Sequence, residues 1–285
     1  MKFALGATAT GSRARTATIT TLHNTFDTPI FMPVGTRATV RTQPRSALER
    51  LDAPIILSNT YHLMLRPGIE LFLEMGGLHR WMGWQRSILT DSGGFQIFSL
   101  SHERAITENG AEFRTDTGKK VLLSPERSIE MQRAIGSDIM MVLDQCVPST
   151  CSRAEATAAM HLTHRWARRS LAARADSPQA LFAIVQGACF PDLRRQSAAE
   201  LVAMEGFDGY AIGGLAVGEG RAEREDTTEL VTGLLPADRP RYLMGVGTPL
   251  DLLEAVHRGV DMFDCVLPTS LSQQGVAFTS RGKVD

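Results

Sequence analysis

Eight short apolar runs, separated by segments with helical features, limit the fold of this chain more than anything else in its sequence. The runs are continuous rather than alternating in polarity, which is typical of strands buried on both faces of a parallel sheet. With 285 residues, 43% of them hydrophobic, the chain can bury one large core. We therefore predict an α/β protein, a (β/α)8 TIM barrel that forms a single domain over residues 1–285. The eight predicted strands are Ile30–Val34, Pro54–Leu57, Ser87–Thr90, Asp138–Leu143, Leu181–Val185, Gly209–Ile212, Arg241–Met244 and Asp261–Val266.

Local signals support the alternation of strands and helices. Helix starts are indicated at Ser124-Pro125-Glu126, at Ser152 with Glu155 three residues later, and at Thr248-Pro249, because hydroxyl side chains cap helices and proline suits the first turn. Between the third and fourth strands, Asn109-Gly110 lies within Glu108–Arg114 and predicts a β-hairpin insertion.

Polar residues and glycines cluster at the carboxyl ends of the predicted strands, where barrels build their active sites. Three of them are aspartates, and two of these, Asp91 and Asp264, follow or end the third and eighth predicted strands. A pair of carboxylates can act at an anomeric carbon, with one stabilising the sugar and the other moving a proton. Aspartate and glycine are also common in ordinary loops and caps, so the pattern alone leaves both interpretations open. The full set is Asp91, Asp144, Gln186, Gly213, Gly214, Met244, Gly245 and Asp264.

Charge and cysteine content narrow the classes of partner. The 30 Lys and Arg residues balance 31 Asp and Glu residues, so a nucleic acid would need a local basic patch. The four cysteines show neither a disulfide framework nor a zinc-site spacing, and no run has membrane-spanning length. We expect a cytoplasmic protein with no membrane contact. His161 and His164, three apart on a predicted helix, are interpreted as helix-surface residues rather than metal ligands.

Ordered sequence blocks along almost the whole chain resemble those of the tRNA-guanine transglycosylase family. The blocks are Phe31–Thr36, Asn59–Leu63, Leu65–Gly68, Leu89–Gln96, Val185–Gly187, Gly209–Glu219, Tyr242–Gly247 and Asp261–Cys265. The resemblance implies exchange of a guanine in a tRNA anticodon for a deazaguanine base, as in queuosine biosynthesis. The expected partners are thus tRNA and a guanine or deazaguanine base.

The same resemblance assigns roles to individual residues. It implies that Asp264 is the nucleophile that forms a covalent ribosyl-aspartate, and that Asp91 is the acid/base group. Base binding is implied for Ser92, Gly93, Gly94, Phe95, Asp144, Gln186, Gly214, Leu215 and Met244, with Phe95 and Met244 on the two faces of the purine. RNA binding is implied for Gly245, Val246, Gly247, Thr248, Pro249 and Asp251.

The chain departs from the family pattern near its end. Ser270–Gly275 stands where the family has an Arg-Asn-Ala-Arg-Asn-Gly stretch, and the chain stops at Asp285, before the family's zinc site and last barrel helix. We therefore expect no zinc-binding subdomain, no metal and no other cofactor. A barrel without its last helix would expose apolar surface on strands eight and one, which favours a homo- or hetero-oligomer. Gln145 and Ala188 are smaller departures beside the predicted pocket.

Two alternatives remain beside the transglycosylase prediction. One is a related base exchanger or ribosyl-base hydrolase that acts on a different nucleic acid or on a nucleoside, which the missing arginines would permit. The other is a non-catalytic subunit of a transglycosylase complex. Asp91, Asp144, Gln186 and Asp264 argue against the second alternative, because a scaffold has no need for several carboxylates directed at one pocket.

Overall fold

A parallel barrel of nine strand segments forms the centre of the computed structural model, which describes residues 1–100, 104–115 and 118–285. In chain order the segments are β4 (Ile30–Met32), β5 (Val34–Gly35), β6 (Ile55–Ser58), β7 (Ser87–Thr90), β11 (Ile139–Met141), β12 (Ala180–Val185), β13 (Gly209–Ile212), β14 (Arg241–Leu243) and β15 (Met262–Asp264). Each of the eight predicted strands overlaps this set, so the predicted α/β barrel is confirmed.

The barrel closes through a strand that is broken at Pro33. Segment β4 pairs with β15 on one side, and β5 pairs with β6 on the other. Proline has no backbone N–H to donate to a ladder, but the carbonyl of Pro33 still accepts a hydrogen bond of 2.9 Å from the Leu57 nitrogen. The first predicted strand is therefore a single strand that changes its neighbour at the proline.

Helices surround this barrel and lie between most of its strands. Their bounds are α1 (Arg45–Arg50), α2 (Thr60–Leu65), α3 (Ile69–Met75), α4 (Leu78–Met82), α5 (Gly94–Leu100), α6 (Pro125–Ile135), α7 (Arg153–Arg174), α8 (Pro191–Ala203), α9 (Arg221–Thr232), α10 (Pro249–His257) and α11 (Leu267–Ser272). The predicted starts are confirmed: Ser124, Ser152 and Thr248 each cap a helix by accepting a backbone N–H three residues later.

Smaller sheets decorate the barrel. Before it lie β1 (Lys2–Thr8), β2 (Arg15–Thr20) and β3 (Thr25–Thr28), and after it lie β16 (Ala277–Thr279) and β17 (Gly282–Val284). Between β7 and β11 lie β8 (Arg104–Thr107), β9 (Gly110–Arg114) and β10 (Lys120–Leu123), paired antiparallel in the order β10-β9-β8. This three-stranded sheet occupies the region where the sequence predicted a hairpin.

The exposed apolar residues near the last strand lie on its neighbouring helix and loop. Met262 and Phe263 of β15 are buried, whereas Leu250 and Leu253 of α10 are 48% and 69% exposed and Val266 is 54% exposed. After β15 the chain continues into α11 and then into the β16–β17 hairpin. No helix in the described ranges has the length and apolarity that a membrane span requires.

Asp138 connects the amino-terminal end of the barrel to the first sheet. Its carboxylate accepts hydrogen bonds from the Leu22 and His23 nitrogens, from His23 Nδ1 and from the Ile88 nitrogen, at 2.8 to 3.1 Å. Burial alone would raise the pKa of Asp138, but hydrogen bonds from His79, His23 and Ile88 outweigh it and lower this pKa below its ordinary value.

Replacing this carboxylate should destabilise the fold. We expect Asp138→Asn to lower the free energy of unfolding by about 2–4 kcal/mol, because an amide leaves buried donors without an acceptor. Because its folded-state pKa is depressed, wild-type Asp138 contributes stability above the ordinary pKa of 3.8 and loses it as the pH falls through the folded-state value. Urea unfolding of the variant measures the loss. Asp192→Asn, which breaks an exposed pair with Arg153, is the control, and an equal effect of both substitutions would contradict the prediction.

Candidate active site

The carboxyl ends of the barrel strands surround one cavity of about 410 Å³. Asp91, Asp144 and Asp264 line it together, although they lie up to 173 positions apart in the sequence. The other predicted base-binding residues that line it are Ser92, Gly93, Gly94, Phe95, Gly214, Leu215 and Met244. The strand-end positions therefore converge as the barrel prediction requires.

Asp91 is held at the end of β7 by residues that follow β6. The Thr60 nitrogen donates to its Oδ1 at 2.9 Å, and Asn59 Nδ2 donates to its Oδ2. The Asn59 side chain is oriented because its Oδ1 caps α2, accepting from the His62 nitrogen at 3.0 Å. Burial raises the pKa of Asp91 to about 8 despite the Thr60 hydrogen bond, and the charges of Asp264 and Asp144 also raise it. A carboxyl group with this pKa is largely protonated at neutral pH and can act as an acid.

Asp264 lies at the end of β15 and presents one carboxylate oxygen to the cavity. The Tyr242 hydroxyl and the Gly245 nitrogen both donate to Oδ1, at 2.6 and 2.7 Å. Among the described residues no donor binds Oδ2. Burial raises the pKa of Asp264, and the two hydrogen bonds oppose that shift. Two donors on one oxygen orient the carboxylate and leave the other oxygen as a candidate nucleophile.

Asp144 and Gln186 form a hydrogen-bonding pair beside the cavity. Gln186 Nε2 donates to Asp144 Oδ2 at 2.7 Å, and the Ser92 hydroxyl donates to Asp144 Oδ1 at 3.3 Å. Burial raises the pKa of Asp144 to about 6 against these hydrogen bonds, so the group is mostly ionised at neutral pH. Gln186 does not line the cavity but lies behind Asp144, and within the described part of the chain its buried Oε1 has no hydrogen-bond partner.

Two glycines allow the backbone to approach these side chains closely. A Cβ on Gly94 would lie 2.5 Å from the Asp144 carbonyl oxygen. Gly214 has a φ of 63°, and a Cβ there would lie 2.3 Å from Gln186 Oε1. Any larger residue at either position would displace the pair, so the glycines are part of the pocket geometry.

Glu219 fixes the loop that follows β13. Its carboxylate accepts from the Ala216 nitrogen and, at 3.0 Å, from the Val217 nitrogen. Ala216 has a left-handed φ of 58°, a conformation that non-glycine residues rarely adopt and that surrounding contacts must hold. The loop carries Leu215, so Glu219 sets the shape of one wall of the cavity.

The segment predicted to bind RNA lies beside the cavity, and only Gly245 of it lines the wall. Val246 is buried, Thr248 caps α10 through the Asp251 nitrogen, and Asp251 pairs with Arg224 at 2.8 Å. The complete segment is Gly245, Val246, Gly247, Thr248, Pro249 and Asp251. Its role in RNA binding stays a prediction.

Sequence reasoning missed several residues that orient the carboxylates. Asn59 and Thr60 lie in a recognised block but received no role, and Tyr242 lies inside a predicted strand where it resembles any core aromatic residue. The one sequence signal for these residues is their place at or near the carboxyl end of a barrel strand.

The prediction that His164 lies on the helix surface was wrong: the residue is 1% exposed and binds Glu200 and Ser197. Its neighbour His161 is partly buried.

Two clusters in the described chain have metal-compatible residue types. They are His23, His79 and Asp138, and His161, His164 and Glu200. Asp138 already accepts backbone hydrogen bonds, and both nitrogens of the His164 ring already have partners. The expectation of no metal and no cofactor stays a prediction.

Comparisons with known proteins identify relatives over nearly the full chain. A family model described as queuine tRNA-ribosyltransferase matches residues 10–285. Proteins named queuine tRNA-ribosyltransferase are similar: one from Solidesulfovibrio magneticus is 56% identical over 275 residues, covering 95% of this chain and 74% of its own length. Others from Thioalkalivibrio sulfidiphilus and Listeria welshimeri are 52% and 54% identical, covering 99% and 95% of this chain and 76% and 72% of their own lengths.

Proposed function

Because the chain belongs to the queuine tRNA-ribosyltransferase family, we propose that it exchanges a guanine in a tRNA anticodon for a deazaguanine base, with Asp264 as nucleophile and Asp91 as acid and base. The observation that carries the assignment of roles is the placement of both aspartates in one cavity with a free oxygen on Asp264 and a raised pKa on Asp91. The enzyme is a pentosyltransferase, and a tRNA substrate is consistent with a cytoplasmic location.

The exchange proceeds in two displacements. Oδ2 of Asp264 attacks the ribose C1′, the bond from C1′ to guanine N9 breaks, and Asp91 gives its proton to the departing base. The resulting ribosyl ester holds the RNA while the bases exchange. The incoming base then loses a proton to Asp91 and attacks C1′, which releases the Asp264 carboxylate. Two inversions give overall retention at C1′, and no phosphodiester bond breaks.

Asp144 and Gln186 are suited to read the purine edge. Guanine presents N–H and amino donors there, and an ionised carboxylate accepts from them. Gln186 contributes from behind this carboxylate, because its Nε2 donates to Asp144 Oδ2 and so orients the oxygens that face the base. Phe95, which is 48% exposed, and Met244 line the cavity and can cover the faces of a flat base. A nucleotide must leave its stack to enter, at a cost that is smallest in a single-stranded loop such as an anticodon loop.

Incubation with labelled guanine tests the substrate assignment. We expect label to enter tRNA and not single-stranded DNA or free guanosine. Ser270 of helix α11 and Gln273 at its C-cap stand where the family pattern has arginines, which is the observation that favours the alternative of a different nucleic acid or nucleoside. Label in DNA or guanosine at a rate equal to that in tRNA would support this alternative and overturn the tRNA assignment.

The raised pKa values predict how the rate depends on pH. Asp91 must be protonated to release guanine, so kcat/KM should fall above about pH 8 as this group ionises. Asp144 must be ionised to accept from the base, so kcat/KM should also fall below about pH 6. Since the carboxylates interact, the two apparent pKa values belong to the group as a whole. Single-turnover incorporation at a series of pH values measures both limbs, and a rate that stays constant well above pH 8 would contradict the role of Asp91.

A further inference from the structure

Arg194, on helix α8, is a fully buried cation whose hydrogen-bond partners in the described chain are all backbone carbonyls. It is 0% exposed, and no carboxylate of the described chain lies within ion-pair distance of it. Its guanidinium donates to the carbonyl oxygens of Ala188 and Val185 at 2.7 Å each, and to that of Gly214 at 3.4 Å. Burial lowers the pKa of Arg194 to about 10, so the group stays charged at neutral pH. The charge of Glu219 opposes that shift from a distance, but burying a charge without a direct ion pair is costly, which indicates that this one has a specific task.

The three carbonyls lie at the end of β12 and in the two loops that carry base-reading residues. Val185 and Ala188 bracket Gln186 on both sides, and Gly214 is itself a predicted base-binding residue on the neighbouring loop. The planar guanidinium donates in fixed directions. Arg194 therefore ties the loop after β12 to the loop after β13 and sets their separation.

Ser197 lies three residues further along α8 and binds the backbone of Gln186. Its Oγ accepts from the Gln186 nitrogen at 3.1 Å and lies 2.9 Å from His164 Nε2, while His164 Nδ1 lies 2.8 Å from Glu200. If Nδ1 donates to Glu200, Nε2 is free to accept the Ser197 proton, which leaves an oxygen lone pair for Gln186. Burial lowers the pKa of His164, in agreement with a neutral ring.

We propose that Arg194 and Ser197 are positioning residues that hold Gln186 and Gly214 where the purine edge is read. Neither side chain lines the cavity, so both act through the residues that they bind. Gln186 can orient Asp144 through its Nε2 only if the glutamine backbone and the Gly214 loop keep their places. This inference rests on the proposed base exchange. It assigns part of the specificity for the base to Arg194 and Ser197, the two buried α8 residues that bind the pocket loops.

Arg194→Lys and Ser197→Ala test this role against a matched pair of controls. Arg241 is also buried, donates to the Leu235 and Gly259 carbonyls, and has a pKa lowered by burial to about 10, but it lies at the amino-terminal end of β14. Arg241→Lys therefore reproduces the loss of a buried arginine away from the cavity. Ser170, a buried serine of α7 whose hydroxyl has no partner in the described chain, gives the control Ser170→Ala.

The readouts are the dissociation constant of guanine by calorimetry, the KM values for guanine and for tRNA, and the melting temperature. We expect Arg194→Lys to raise the guanine KM and dissociation constant about tenfold, and Ser197→Ala to raise them about fivefold, since a lost hydrogen bond is worth about one factor of ten. The KM for tRNA should rise less than the KM for guanine, because tRNA is expected to bind through its phosphates as well as through the exchanged base. Arg241→Lys should lower the melting temperature without changing guanine binding.

Equal guanine dissociation constants for Arg194→Lys and Arg241→Lys would overturn the inference, as would parallel changes in both KM values. If Arg194→Lys does not fold, the guanine dissociation constants of Ser197→Ala and its control Ser170→Ala are compared instead. Equal values for these two variants would overturn the inference. Wild-type protein that binds guanine but transfers none to tRNA would refute the proposed function, while the ratios of dissociation constants would still test the positioning role. Wild-type protein that binds no guanine would overturn both.

Discussion

Asp264→Asn is expected to abolish base exchange and the covalent RNA adduct, with a loss of about 10³-fold or more in the single-turnover rate. The amide oxygen can still accept from the Tyr242 hydroxyl and the Gly245 nitrogen, which both bind Oδ1 in the wild type. The amide nitrogen then occupies the position of the free oxygen and cannot attack C1′. Labelled tRNA trapped on the protein in a denaturing gel measures the adduct.

The melting temperature of Asp264→Asn provides the control. We expect it to match or exceed that of the wild type, because burial raises the pKa of Asp264 and its charge is therefore unfavourable in the folded protein. A folded variant that still forms the adduct would show that another group attacks the ribose, with Asp91 as the first candidate. If Asp264→Asn does not fold, the same two measurements, adduct formation and melting temperature, are made on Asp264→Ala.

The second large effect is expected at Asp144. Asp144→Asn should lower kcat/KM for guanine by about 10²–10³-fold and improve the use of xanthine, because a site built to match a polar edge rejects the wrong pattern strongly. Gln186 Nε2 donates to Oδ2 of Asp144, so the oxygen of an asparagine must face Gln186. Its NH₂ group then faces the cavity beside Ser92, where it repels the donors of guanine and can donate to the 2-oxo group of xanthine.

Competition between labelled guanine and labelled xanthine measures this change in one reaction. Gln145→Glu is a useful control, because it alters the neighbouring residue without touching the side-chain hydrogen bonds of Asp144 to Gln186 and Ser92. We expect this control to keep the preference for guanine. An Asp144→Asn variant that still selects guanine would mean that the purine edge is read elsewhere in the cavity.

The barrel could be predicted because its signals are local. Each strand is a continuous apolar run, as in β12, all six residues of which are buried, and the helix starts at Ser124, Ser152 and Thr248 depend on neighbours three residues away. Once the barrel is assumed, the strand ends must meet, and the predicted convergence of Asp91 and Asp264 follows from that geometry. The broken first strand was not predicted, although Pro33 was its visible cause.

The parts that escaped prediction depend on contacts between distant residues. Tyr242 orients Asp264 across 22 positions, and Asn59 orients Asp91 across 32, and neither spacing has a sequence signature. Arg194 looks like a surface residue of a polar helix, yet it is buried because the carbonyls of Val185, Ala188 and Gly214 surround it. His164 was assigned to the helix surface for the same reason, since its partners Ser197 and Glu200 lie on the next helix.

A crystal structure of the protein with guanine bound tests the central claim most directly. We expect the base to lie between Phe95 and Met244, with its N–H and amino edge at Asp144 and its N9 directed towards Oδ2 of Asp264. A base bound outside this cavity, or bound within it with N9 directed away from Asp264, would contradict the assignment of the pocket and of the nucleophile.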